Sequence, residues 1–224
     1  MADRAEGGVN VHGIPPVLGL GGRRGNPRHG LVHFLVHIYR TDTPMSQHFF
    51  LVRHGDSEDG PKMDPTRAIT ETGRREAAAT ADFLARWCGH IPVVLASNML
   101  RARQTAQPIK EAVGAASYEE IWQLDPDVDA QKAWRRIKQL AAGRDVLAVT
   151  HEPLVSALFE LTCGAKTGGK TFEHAGCACI HVEDGHLKWF VSPALVERDE
   201  ELESTREAAA ALAEAALELC QPQT

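Results

Sequence analysis

Apolar residues fall along this chain in short bounded runs, not in one long block. The runs at 48–52, 93–96 and 145–149 place apolar side chains on successive positions, as in strands buried on both faces. Between them the period changes to that of a helix. Residues 71–87 are alanine-rich, with Ala77, Ala81, Leu84 and Ala85 on one side. Further helical patterns follow at 100–113, 130–141 and 154–161. Two more strand-like runs, 177–182 and 187–191, flank the turn-forming "EDG" and predict a hairpin. Strands that alternate with helices predict an α/β fold around a largely parallel sheet.

The two ends of the chain depart from this pattern. Residues 1–45 are rich in Gly, Pro and Arg without periodicity and are expected to be a disordered leader. Met45 stands just before the first strand, so a start assigned too far upstream would account for them. A transit peptide fits less well, given Asp3, Glu6 and the glycines. A domain is expected over 46–196. Residues 197–224 read as an acidic C-terminal helix or tail. Eight acids against Arg198 and Arg206 carry −6 there, which equals the formal charge of the whole chain. The rest is balanced, and no basic stripe points to nucleic acid. No apolar run reaches the roughly 20 residues of a membrane span. A cytosolic location is expected, with no membrane partner. Five scattered cysteines do not form a zinc pattern; Cys177 and Cys179, two apart in a strand, are expected to share one face of the core.

Chemistry gathers at the strand ends. The run "FFLVRHGDSE" closes on Arg53, His54 and Gly55, the second strand leads into "SNMLRARQTA" with Arg101, and the third into "THEP" with His151. Ligands of open α/β sheets bind beyond the carboxyl ends of strands, near helix N-termini that favour anions. A neutral imidazole can attack phosphorus near pH 7. Guanidinium groups pair bidentately with phosphoryl oxygens, and a second imidazole, once protonated, donates to the same oxygens. Gly55 would let the backbone turn and approach the substrate. Such a cradle requires neither metal nor cofactor.

"LVRHGDSE", "ITETGRREA", "SNMLRARQTA" and "VTHEPLV", in this order, resemble the motifs of the histidine phosphatase superfamily, the phosphoglycerate mutase-like fold. The resemblance implies a three-layer α/β sandwich around a mostly parallel sheet. It makes His54 the phosphorylated nucleophile and Arg53, Arg101 and His151 the phosphate pocket. Arg67 resembles an added substrate-side arginine, and Glu152, beside His151, is grouped with the substrate-binding set. Only 49 positions lie between Arg101 and His151, too few for the insertion that roofs mutase-like and phytase-like sites. The chain is therefore similar to the compact SixA-type phosphohistidine phosphatases, and "WFVSPALV" resembles their last strand. An open site of this kind implies a phosphorylated protein as partner, such as a histidine phosphotransfer domain in signal transduction, or else a small phosphorylated substrate.

Roofed members draw an acid from the stretch after the arginine helix. The aligned position here is Gln123, which cannot protonate an alkoxide. Glu120 and Asp125 are the candidate acids, unless a phosphohistidine leaving nitrogen needs none. Two rivals stand beside the phosphohistidine phosphatase: a small-molecule phosphomonoesterase, and a non-catalytic phosphate-binding scaffold. His174 is ambiguous, with the surface as the default and the pocket lining as the alternative; His48 is expected partly exposed, and Trp122 and Trp134 packed. Asp56 and Glu58 are read as caps. "GAKTGGKT" (164–171) has P-loop spacing, but no helix clearly starts after it, so it is read as a loop that binds no nucleotide.

Overall fold

The computed structural model describes residues 47–164, 171–194 and 196. The expected leader, the acidic terminal segment and most of the glycine-rich loop lie outside these residues.

In chain order the elements are β1 (His48–Arg53), α1 (Glu71–Trp87), β2 (Val93–Ala96), α2 (Leu100–Ala112), β3 (Ser117–Glu120), a 3-10 turn (Trp122–Leu124), α3 (Ala130–Ala141), β4 (Val146–Thr150), α4 (Leu154–Cys163), β5 (Cys177–His181) and β6 (Leu187–Val191). Six strands form one sheet in the order β3-β2-β4-β1-β5-β6. The first four are parallel, while β5 and β6 run antiparallel beyond β1.

The continuous apolar runs have a direct cause: both sheet faces are covered. Phe49 and Leu51 point into one core with Ala133 and Ile137 of α3 and Leu154, Val155 and Leu158 of α4. Phe50 and Val52 point into the other, with Ala81 and Leu84 of α1 and Ala102, Ala106 and Ile109 of α2. This is a three-layer α/β sandwich. Cys177 and Cys179 share the second core and are fully buried. Burial pushes both thiols well above their ordinary range, so they pack as small apolar groups.

Local signals begin two helices. Thr70 Oγ1 accepts from Gly73 N at 3.1 Å at the start of α1, and Asp129 Oδ1 accepts from Lys132 N at 2.9 Å at the start of α3. Both are N-caps of the expected kind.

Three expectations change. Strand β3 was not foreseen, because "SYEE" is polar; it lies at the sheet edge, where its acids face outward. His48 is buried, its Nδ1 lying 3.4 Å from Asp145 Oδ1. Trp122 is not packed: 47% of it is exposed, with the Lys132 ammonium over its ring.

Candidate active site

The carboxyl ends of the parallel strands open on a cavity of about 300 Å³, bordered by Arg53, His54, Arg67, Arg101, His151 and His174, among others. Each of the four residues predicted from the strand ends reaches it. His54 follows β1 and is clamped by its backbone: its N–H donates to Thr150 O of β4 at 2.9 Å, and its carbonyl accepts from Ala175 N at 3.2 Å. His151 follows β4, and the two imidazole centroids are 4.9 Å apart. Arg101 sits in the first turn of α2 and is only 2% exposed.

Hydrogen bonds fix the reactive face of His54. Its Nδ1 lies 2.7 Å from Gly55 O, which can only accept. The neutral ring therefore carries its proton on Nδ1 and presents a bare Nε2. Burial, with Arg101, Arg53 and His174 nearby, pulls its pKa down to about 3. The ring is neutral at physiological pH, as a nucleophile must be. Burial also holds His151 well below the ordinary imidazole range, helped by His54, Arg101, Lys62 and Arg53.

The guanidiniums are held as firmly. Arg53 donates through Nη1 to Phe172 O at 2.5 Å and through Nη2 to His174 Nε2 at 2.9 Å. Arg101 donates to Asp64 O at 2.9 Å and Lys62 O at 2.7 Å, with Met99 Sδ at 2.9 Å. Two buried side-chain atoms at this site, Arg53 Nε and His151 Nδ1, have no partner among the described residues. Buried polar atoms are ordinarily satisfied; an anion seated between these groups would accept from Arg53 Nε, and from His151 Nδ1 once that ring is protonated.

The model of the histidine phosphatase superfamily (branch 1) matches residues 49–125. Phosphohistidine phosphatase SixA of Escherichia coli (strain K12) is 29% identical over 150 residues, covering 64% of this chain and 92% of that protein. The structure of the protein histidine phosphatase SixA complexed with tungstate matches with a TM-score of 0.60 at 28% identity, over 66% of this chain and 98% of that one. The chain is thus similar to the histidine phosphatase superfamily and, within it, to the SixA-type proteins. A shorter likeness, 37% over 68 residues, connects it to the serine/threonine-protein phosphatase Pgam5 of Drosophila ananassae, across 30% of this chain and 24% of that protein.

The chain crosses from Arg101 to His151 with only the rest of α2, then β3, the 3-10 turn, α3 and β4. Other predicted residues take up different positions. Arg67 borders the cavity, but its guanidinium donates to Glu58 O, Gly60 O, Pro61 O and Ser57 Oγ. It shapes the loop at the rim. Glu152 also borders the cavity; its Oε1 accepts from Phe172 N at 2.9 Å and Ser156 Oγ at 2.8 Å.

Gly55 is not at the cavity wall. A Cβ on Gly55 would lie 2.7 Å from Gly73 O, and one on Gly73 would lie 2.1 Å from Asp56 O. The glycine is needed for backbone packing against α1, not for approach to a substrate. Neither candidate acid borders the cavity. Glu120, at the exposed end of β3, faces Arg103 at 3.5 Å and Tyr118 Oη at 3.2 Å. Asp125 Oδ1 accepts from Ser97 Oγ at 2.6 Å.

Two contributors rank higher than the sequence suggests. His174, half-buried, takes the alternative place at the pocket: its ring is 5.8 Å from that of His54, and its Nε2 accepts from Arg53. Asp56 is more than a cap, since it borders the cavity and lies 3.7 Å from His174 Nδ1. "FEHAG" follows no strand and carries no local signal for this place. A larger cavity of about 480 Å³ shares Arg53 and His174 as its wall but holds neither His54, His151 nor Arg101. The chemistry belongs to the smaller one.

Proposed function

We propose that this protein is a phosphohistidine phosphatase that acts on a phosphorylated protein through a phosphohistidine of its own. One observation carries the reading: the His54 proton is committed to Gly55 O, which leaves Nε2 as the lone pair at a cavity flanked by Arg53, Arg101 and His151. The Nε2 lone pair attacks phosphorus, the bond from phosphorus to the leaving group breaks, and the guanidiniums stabilise the charge on the equatorial oxygens. Water then attacks the phosphorus–Nε2 bond, releases phosphate and restores the neutral ring. Positive charge comes from side chains, so the reaction needs no metal.

The absence of Glu120 and Asp125 from the cavity favours a leaving group that needs little acid help. A phosphohistidine nitrogen is protonated before its bond to phosphorus breaks, whereas an alkoxide is a poor leaving group without a proton. The SixA relatives, named for phosphohistidine and bound in one structure to the tetrahedral oxyanion tungstate, agree with this choice. The rival phosphomonoesterase is favoured by one feature: Asp59, an exposed carboxylate, stands at the cavity rim.

The test is a substrate panel of a phosphohistidine protein, p-nitrophenyl phosphate and several sugar phosphates, each with and without EDTA. Fastest turnover on the phosphohistidine protein, unchanged by EDTA, is expected, together with an acid-labile phosphate trapped on His54. Much faster turnover of phosphomonoesters would overturn the substrate assignment in favour of the monoesterase. No turnover of any substrate would leave only a phosphate-binding scaffold.

A further inference from the structure

His151 is tied to two residues that do not border the cavity. Its Nε2 lies 2.7 Å from Ser97 Oγ, and Ser97 Oγ lies 2.6 Å from Asp125 Oδ1. Ser97 and His151 are both buried. A serine hydroxyl has one proton and two lone pairs, and all three are assigned here. Asp125 Oδ1 also accepts from Asn98 N at 3.2 Å, so this oxygen acts as an acceptor and takes the serine proton. Met99 N donates to Ser97 Oγ at 3.2 Å, which occupies one lone pair. The other lone pair must accept from His151. The ring therefore carries its proton on Nε2, and the atom left bare is Nδ1, buried and without a partner among the described residues.

An unprotonated Nδ1 repels a phosphoryl oxygen. It becomes a donor only if the ring takes up a second proton. Without a bound anion to offset them, burial and the cations around it, Arg53 from β1, Arg101 from α2 and Lys62 from the rim loop, keep the ring neutral. His54 faces it from β1, and Glu152 follows it in the chain. A dianion reverses this balance at Nδ1, while Asp125 supplies a negative charge behind Nε2.

We propose that Ser97 and Asp125 are positioning residues, which hold His151 with Nδ1 turned to the anion and stabilise its imidazolium when a phosphoryl group arrives. The second proton comes from solvent or from a monoanionic phosphoryl group. The proposal deepens the phosphatase reading and rests on the anion seat described there. Asp125, expected as the acid, acts through another residue and never meets the leaving group.

The experiment follows the histidine side chains of the full chain, labelled with ¹⁵N, by NMR across pH, with and without inorganic phosphate. Turnover of p-nitrophenyl phosphate is measured in parallel. In the unaltered protein His151 should be protonated on Nε2 alone without phosphate, and saturating phosphate should raise its titration midpoint to near neutral pH or above. Asp125→Asn keeps an oxygen that can accept from Ser97 and Asn98 but removes the charge. It should preserve the Nε2 proton, lose most of the phosphate-induced rise and bind phosphate about tenfold more weakly. Its kcat should fall more than its KM rises, because the bond from Nδ1 strengthens as charge builds on the phosphoryl oxygens. Ser97→Ala should go further and mix the two tautomers; if it fails to fold, Asp125→Asn decides alone.

A proton on Nδ1 in the unaltered protein, or an unchanged response to phosphate in Asp125→Asn, would overturn the proposal. A protein that shows the expected linkage but turns over no substrate would keep this pair and lose the phosphatase reading, so the two failures are distinct.

Discussion

The two imidazoles at the centre of the site are alike in burial and in their suppressed basicity, yet they are held by different means. His54 donates to the carbonyl of the very next residue, so the backbone sets its tautomer. His151 is set by the side chain of Ser97, 54 positions away, with Asp125 behind it. A tautomer fixed by backbone survives almost any substitution that leaves the fold intact. One fixed by distant side chains can be tuned by single changes without disturbing the nucleophile. The first arrangement suits a group whose role must not vary, and the second a group whose charge must follow the reaction.

The contrast can be broken most directly at the rings themselves. His54→Ala should lower kcat on the order of 10⁴-fold or more, since no other group supplies the attacking lone pair. His151→Ala should cost about 10²–10³-fold, the scale of one lost donor to a developing anion. Equal losses in single-turnover measurements would erase the distinction drawn between them.

Next in size is the response to acid. Both rings have folded pKa values below the ordinary 6.5, so between those values the unfolded chain binds more protons than the folded one. Stability is then fully present above about pH 6.5 and is lost as pH falls below it, at about 1.4 kcal/mol per pH unit for each linked proton. Urea unfolding between pH 7 and 5 should show a slope approaching two protons from these rings, with His174, lowered by burial and Arg53, adding to it. Saturating phosphate should flatten it, because the bound anion lets the folded state take up a proton as well. A slope unaffected by either histidine substitution would mean that the acid response originates elsewhere.

A smaller effect sharpens the backbone side of the comparison. Thr105 Oγ1 accepts from Gly55 N at 3.0 Å and donates to Arg101 O at 2.8 Å, and so holds the peptide that orients His54. Thr105→Val leaves a buried N–H unsatisfied and should destabilise the protein by about 1–3 kcal/mol, with a several-fold fall in kcat. Denaturant midpoints and rates on one preparation would check both. The smallest effect concerns the acid. Glu120→Gln should alter kcat less than about twofold, because the carboxylate sits away from the cavity; a tenfold loss with an altered pH profile would return it to the chemistry.

Much of this arrangement is legible in the sequence. The apolar runs of β1, β2 and β4 reveal themselves because two covered faces leave no room for polar residues, and His54, Arg101 and His151 follow from where those strands end. Strand β3 did not, since an edge strand with one neighbour needs no apolar run. His174 stayed ambiguous for a different reason: the 173–176 turn is brought to His54 by a bond from Ala175 N, and no periodicity announces a turn that docks by its backbone. The candidate acids failed on direction. Nearness to a strand end brings a residue to the right edge of the sheet, but Glu120 was drawn to Arg103 and Asp125 to Ser97.

The guanidinium of Arg101 also grips the carbonyls of Lys62 and Asp64, while Arg67 grips those of Glu58, Gly60 and Pro61. The rim of the cavity is therefore suspended from two cations that themselves border the cavity. Selection for a new partner cannot remodel the backbone at those anchors without disturbing the rate of the chemistry beneath. Freedom to diversify lies instead in the exposed side chains hung between the anchors, such as Asp59 and Met63, and that is where relatives tuned to other phosphorylated surfaces should differ first.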